Sequence, residues 1–226
     1  MATLAASPRE SWIYWEWVGD HLAEIRASLV EHVILTVLTV VIGLAISIPL
    51  AVLVRRWRPA YAPVLWTTGA MYSIPSLALF GILIPITGLS RTTALIPLVA
   101  YTLLILVRNI VTGLNAVPEE VRDAARGMGY TGAVEFVRVD VPLALPAIFA
   151  GIRIATVSTI ALITVTAVIG QDSLGRLILD GLQRDFRTPL VVGLLLTVLL
   201  AIAAELFLLG LQWLLTPWMH RKARTA

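Results

Sequence analysis

A chain of 226 residues with 58% hydrophobic residues, 14% charged residues and a mean hydropathy of +0.89 lies far outside the range of soluble globular domains. It has no cysteine, which excludes disulfides, thiolate metal sites and covalent cysteine chemistry. The net charge of +3 and sequence pI near 9.7 would suit a nucleic-acid binder among soluble proteins. Here the basic residues follow membrane topology instead, and no nucleic-acid partner is expected.

In chain order, residues 1–28 precede any span and read as an external segment. Trp15, Val18, Leu22, Ile25 and Leu29 recur at alternating three- and four-residue steps, with Asp20, Glu24 and Glu31 off that stripe. This pattern predicts an amphipathic helix lying along the membrane interface. Trp12, Tyr14, Trp15 and Trp17 fit an interfacial aromatic belt; the other use of such a cluster is a cage for a quaternary ammonium ion. The first residues lack a basic stretch followed by an apolar core, so no cleavable signal is expected.

Five apolar stretches follow, at 29–54, 63–86, 92–111, 143–169 and 189–215. Each approaches the about 20 residues that a helical span needs at 1.5 Å rise per residue. Pro49, Pro75, Pro85, Pro97 and Pro146 interrupt them, so kinked helices packed around one another are expected. The fold class predicted is an all-α integral membrane protein with five spans.

Between the third and fourth stretches lies the one long polar interruption, 118–146, too polar to cross a bilayer. It reads as two short helices. Pro118 suits a first helical position, Glu119, Glu120 and Asp123 place negative charge near the positive helix end, and Gly127 and Gly129 end the helix. Thr131 then caps a second helix that Pro142 is expected to stop.

Counting Lys and Arg orients the chain. Arg55, Arg56, Arg58, Arg108, Arg122, Arg126, Arg138, Arg221, Lys222 and Arg224 make ten on the side of the polar interruption. Arg9, Arg26, Arg91, Arg176, Arg184 and Arg187 make six on the other side, diluted there by acidic residues. The excess puts the interruption and the basic tail, 219–226, in the cytoplasm and the N-terminus outside. The segment 171–188 is then an external loop whose Asp172, Arg184 and Arg187 offer a mixed-charge surface, either for docking a partner or simply solvated.

Chemistry inside the spans is sparse. Their interiors offer Arg153 and Glu205, each roughly 15 Å from the cytoplasmic end of its helix, and equal depth permits an ion pair. The alternative has Arg153 snorkelling to the surface while Glu205 is protonated or faces a cavity. Thr156, Thr159 and Thr166 share one face of the fourth span and suit either the lining of a translocation path or packing through small residues. His21, His32 and His220 are scattered without metal-ligand spacing, so no metal site is expected. Gly170 and Gly175 have P-loop spacing, but Arg176 and Leu177 stand where Lys and Ser or Thr belong, and the sole lysine is Lys222. No cofactor or catalytic residue is expected in this chain.

Asp123-Ala124-Ala125, then Gly129, then Val139-Asp140-Val141-Pro142 resemble the EAA signature of binding-protein-dependent ABC importer permeases. Asp stands for Glu, and Val for Ile and Leu. The likeness implies the methionine-importer type of membrane domain over 29–218, with coupling helices at about 117–141 that dock on an ATPase subunit. It assigns that contact to Asp123, Ala124, Ala125, Gly127, Gly129 and Pro142. The small alanines would permit close approach and Asp123 would meet a basic groove.

Tyr101 with Arg108-Asn109 and Gly113, the run Ala125-Arg126-Gly127-Met128-Gly129, Leu143 to Gly151 followed by Ile152-Arg153, and Gly170 through Leu174-Gly175 with Gly181 further resemble osmoprotectant permeases for glycine betaine, carnitine and choline. One departure is Gly170-Gln171-Asp172-Ser173-Leu174-Gly175, where that branch has a Gly-rich run. The resemblance implies a second permease subunit, identical or paralogous, two ATPases holding ATP and Mg, an extracytoplasmic solute-binding protein, and a multi-pass place in a bacterial cell membrane. It implies import by alternating access. Alternatives are a methionine or amino-acid importer permease and, from another class, a secondary transporter or channel.

Overall fold

The computed structural model describes residues 12–218, and the basic tail at 219–226 lies outside them. Ten α-helices occupy the described residues: α1 (Trp15–Asp20), α2 (Leu22–Arg56), α3 (Tyr61–Ser73), α4 (Ser76–Thr87), α5 (Arg91–Asn115), α6 (Glu119–Gly127), α7 (Gly132–Glu135), α8 (Val141–Ile163), α9 (Leu174–Gln183) and α10 (Arg187–Leu215). Short 3₁₀ turns precede α3 and follow α8.

Four stretches are helical, long and apolar enough to span a membrane: Leu22–Arg56, Arg91–Asn115, Gly132–Ile169 and Arg187–Leu215. The second expected span is instead a bent pair, Arg58–Ser73 and Ser76–Thr87, and counts as a fifth only if both pieces form one crossing. Its break falls at Ile74-Pro75. Pro75 sits at the N-cap of α4 in extended backbone, where its missing N–H and the restriction on the residue before it end α3. Pro49, Pro85, Pro97 and Pro146 lie inside helices.

The amphipathic stripe has two fates. Helix α2 runs unbroken from Leu22, so no helix boundary falls between residues 28 and 29, the expected start of the first span. Val18, Ile25 and Leu29 pack with Leu174 and Leu177 of α9, while Trp15 and Leu22 stay exposed. The aromatic residues engage separate neighbours. Trp17 stacks on His21 at 4.3 Å and meets Phe186 edge-on, and Trp12 lies beneath the Arg187 guanidinium at 5.3 Å.

The chain divides into two compact units. One comprises Met1–Thr39, Ile74–Val99 and Val157–Ala203. Its core is built from Leu35, Leu98 and Ile163, with Phe80, Ala94 and Ile169, and with the α9 contacts above. A Cβ added at Gly175 would stand 2.1 Å from the Thr164 carbonyl oxygen, so only glycine lets α9 seat there.

The other unit comprises Val40–Ser73, Ala100–Thr156 and Ala204–Ala226. Its core gathers Ala51 and Val54 of α2, Leu106, Val107, Ile110 and Leu114 of α5, and Ala144 and Ala155 of α8. Small residues let α5 and α8 approach closely, Gly113 opposing Ala144 and Ala147 and Gly151 opposing Asn109.

Exposure grades the spans. Two-thirds of the apolar window of α5 is buried, against 6% of that of α10. An apolar helix with so little protein cover has lipid or a second membrane subunit as its natural surroundings.

Candidate functional site

The polar interruption folds as a helical hairpin. Pro118, in extended backbone, occupies the N-cap rather than the first turn of α6. The helix ends at Gly127, and Gly129 adopts φ +84. Gly129 N–H bonds the Arg126 carbonyl at 2.9 Å and Tyr130 N–H bonds the Ala125 carbonyl at 3.1 Å. These two bonds define a Schellman turn, which needs the left-handed backbone that Gly129 supplies.

The return limb departs from expectation. Thr131 holds the N-cap of α7 but its side chain makes no capping bond. Pro142 does not stop the helix. Residues 132–169 run on without a break, passing through a π turn at Phe136–Asp140 in which Val141 N–H bonds the Phe136 carbonyl. Pro142 therefore falls in the first turn of α8, after the π turn has broken the four-residue hydrogen-bond register, where a missing N–H costs little.

The expected docking residues divide by helix face. Asp123 and Ala124 are exposed, whereas Ala125 is 1% exposed and faces inward. Consecutive helix residues lie about 100° apart, so an alanine pair cannot present both methyls outward. Val121 and Met128, at 40% and 69% exposure, complete with Ala124 an apolar stripe at helical spacing on the outer face. Gly127 and Gly129 are exposed beside it. Asp123 pairs with Arg126 at 3.2 Å.

Beneath that face lies an ionic network that motif matching did not isolate. Asp140, 1% exposed, receives Arg122 Nε at 2.9 Å on Oδ1 and contacts the Arg55 guanidinium through Oδ2. The Arg55 contact is an ion pair without hydrogen-bond geometry at that oxygen. Both arginines also donate to the Leu114 carbonyl in the last turn of α5, Arg122 at 2.7 Å and Arg55 at 3.2 Å. They thus cap one orphan carbonyl at the negative end of that helix dipole.

Arg126 reaches buried Glu135 at 3.0 Å and exposed Glu119 at 3.1 Å, clasping α6 to α7. Burial opposes the charge of Arg122, but its hydrogen bonds to Asp140 and Glu119 outweigh that and raise its pKa. The Glu135 bond raises that of Arg126, and the Arg122 bond holds Glu119 below the usual carboxylate range. Beside the network opens a cleft of about 710 Å³ lined by Arg55, Arg58, Tyr61, Asn115, Glu119 and Arg122.

Within the spans, Arg153 Nε donates to Glu205 Oε1 at 2.9 Å, and Gln212 lies 3.4 Å from the same guanidinium. Thr156, Thr159 and Thr166 are all buried. Thr156 and Thr166 turn their hydroxyls back to the Ile152 and Ile163 carbonyls. Those two hydroxyls are satisfied by their own helix, as in packing through small residues, whereas the buried Thr159 hydroxyl has no hydrogen-bond partner among the described residues. Ser28, His32, Thr36 and Thr39 form a further buried polar stripe on α2, tied to α8 by His32 Nε2 at 3.0 Å from the Ile160 carbonyl. Their spacing could have been read from the sequence as a helix face, but the long apolar run around them hid it.

The segment 171–188 is not a loop. Most of it is α9, capped by Ser173, whose Oγ accepts from Gly175 N–H, and its buried Leu174, Gly175, Leu177 and Gly181 form the seated face. Asp172, Arg184 and Arg187 remain exposed, with Asp172 paired to Arg176.

Several helices long and apolar enough to span, with a polar hairpin held by an internal ionic clasp, define a multi-pass membrane protein. Residues 43–221 match the family of binding-protein-dependent transport system inner membrane components, and the chain belongs to that family. It is 37% identical to the osmoprotectant import permease protein OsmW of Salmonella typhimurium, over 88% of this chain and 94% of that protein. It is 33% identical to the carnitine transport permease protein OpuCB of Listeria monocytogenes, over 86% and 89%. In fold it resembles the inward-facing MetNI methionine ABC transporter, with a TM-score of 0.75 at 20% identity, over 87% of this chain and 98% of that one. The expected all-α ABC permease fold is thereby established.

Proposed function

We propose that this chain is the membrane subunit of an ATP-driven importer of quaternary-amine osmoprotectants of the glycine betaine, carnitine or choline type. Two permease subunits pair in the membrane, two ATPase subunits bind ATP and Mg, and a separate solute-binding protein delivers the solute from outside. The hairpin and C-terminus are cytoplasmic. This chain moves solute and performs no hydrolysis.

The observation that carries this reading is the outer face of α6. An exposed stripe of Val121, Ala124 and Met128 beside Asp123, outside the spans of a permease-family chain, suits docking on a soluble partner. Arg126, Glu135 and the turn at Gly129 hold the stripe rigid, as a lever requires. ATP binding by the partners would move the hairpin, and the spans would switch between inward-facing and outward-facing states. Energy comes from differential coupling to two states, so tight solute binding by the permease is unnecessary. The likeness to an osmoprotectant permease and a carnitine permease favours quaternary amines over methionine as cargo.

The test is uptake into proteoliposomes containing the permease and its copurifying ATPase, with binding protein outside. Glycine betaine, carnitine or choline should enter only with internal ATP, and an uncoupler at clamped ATP should have no effect. Uptake driven by an ion gradient without ATP would reject the reading, and selective methionine uptake would move the cargo to the alternative branch. Charge reversal at Arg184 and Arg187 should weaken receptor-stimulated hydrolysis more than basal hydrolysis; equal loss would remove the docking role of the 171–188 segment.

A further inference from the structure

Arg55 is the penultimate residue of α2, 63 residues before the hairpin begins at Pro118, and outside every motif that marks the coupling segment. Its contacts nevertheless converge on that segment. The guanidinium pairs with buried Asp140, donates to the Leu114 carbonyl at 3.2 Å, and stands 5.9 Å over the Phe136 ring of the π turn.

Arg122 of α6 meets the same two acceptors, Asp140 and Leu114. One carboxylate and one carbonyl therefore join four elements: the end of α2, the end of α5, the coupling helix α6, and the π turn leading into α8. Two guanidinium groups would repel at such proximity without the anion between them, so Asp140 and the helix dipole of α5 hold the junction together. With Asp140 at 1% exposure and Arg122 at 12%, little water competes for these bonds.

We propose that Arg55 is a positioning residue for energy coupling: through Asp140 and Leu114 it makes the first span follow the coupling hairpin. The inference rests on the importer reading above. It assigns the transmission to a second route besides chain continuity. The hairpin is covalently continuous with α5 and α8, but α2 has no such link to it. Arg122 alone would keep α6 on the π turn and on the end of α5; α2 packs on α5 and α8 through apolar contacts, and in the ionic junction it is Arg55 that ties α2 directly to the hairpin limb.

The substitution Arg55→Gln separates these roles because it leaves the Arg122–Asp140 pair in place. The wild-type complex in proteoliposomes must first show ATP-dependent uptake of glycine betaine, carnitine or choline; failure there rejects the importer reading and not this inference. With the cargo so found, the readout is solute imported per ATP hydrolysed by assembled complex, which does not depend on how much complex forms. Arg55→Gln should lower that ratio by about fivefold or more, the low end of the range for coupling between sites. Arg55→Lys keeps the charge but cannot bridge both acceptors in the same fork, so its ratio should fall between those of wild type and Arg55→Gln. A purely structural role would reduce assembly and leave the ratio at the wild-type value. A wild-type ratio in Arg55→Gln overturns the proposal. If that variant fails to assemble, a wild-type ratio in Arg55→Lys, or failure of both to assemble, does the same.

Discussion

Gly127 and Gly129 stand two residues apart in the hairpin, both exposed, and neither has any atom within 4 Å of where a Cβ would go. On packing grounds alanine would be equally harmless at either. Backbone conformation separates them. Gly127 is helical, so Gly127→Ala removes unfolded-state freedom and should stabilise the hairpin by up to about 1 kcal/mol. Gly129 is at φ +84, where an L side chain costs roughly 1 to 2 kcal/mol. If the chain instead leaves that region, the hydrogen bonds from Gly129 and Tyr130 are lost at about 0.5 to 1.5 kcal/mol each. Gly129→Ala should therefore destabilise the turn, Gly129→Val more because of its branched Cβ, and Gly129→Asn least because Asn tolerates that backbone. Amide hydrogen exchange of the purified permease reads this directly: residues 126–135 should exchange faster in the order Val, Ala, Asn, and no faster than wild type in Gly127→Ala. Unchanged exchange in Gly129→Ala, or faster exchange in Gly127→Ala, would refute the assignment of the Schellman turn as what closes the hairpin.

The same helix separates Ala124→Asp from Ala125→Asp. The first adds charge to an exposed face and should leave thermal stability within about 0.5 kcal/mol while weakening ATPase copurification, whereas the second buries a carboxylate and should cost several kcal/mol. Equal stability of the two variants would contradict the inward orientation of Ala125. For Arg153 and Glu205, Arg153→Leu and Glu205→Leu should each lower stability, and the double variant should recover part of the loss, since removing one partner strands the other. Strictly additive losses in thermal unfolding would dissolve the pair. Glu119 has its pKa lowered by the Arg122 hydrogen bond, so its contribution is present above the unfolded value, near 4.5, and lost as pH falls through the lower folded value. Exchange protection of α6 should fall in that acidic window, and Glu119→Gln should remove this component of the fall; an unchanged profile would exclude it.

Much of the architecture was legible because bilayer length and apolarity are properties of sequence alone. The α2, α5, α8 and α10 spans coincide with apolar runs, and the hairpin turn at Gly129 was marked by glycine chemistry. Pairing of Arg153 with Glu205 could be anticipated from matched depth, since rise per residue converts sequence position into height. Breaks were less legible. Pro75 divides a span while Pro142 does not, because the outcome depends on whether neighbouring carbonyls already have other partners. The 171–188 segment looked like a loop because most of its charges flank α9, and the seated side of that helix is partly glycine, which carries no hydrophobic signal.

Sequence by itself determined that this chain carries membrane-spanning apolar helices, where the polar hairpin interrupts them, and which family it joins. Each of these rests on composition or on residues close together in the chain. Tertiary structure decided that Ala125 faces inward, that Thr156, Thr159 and Thr166 are buried, and that Arg55 belongs with Asp140 across 85 positions. A buried carboxylate must find cations wherever folding places them, and no local spacing records which ones those will be.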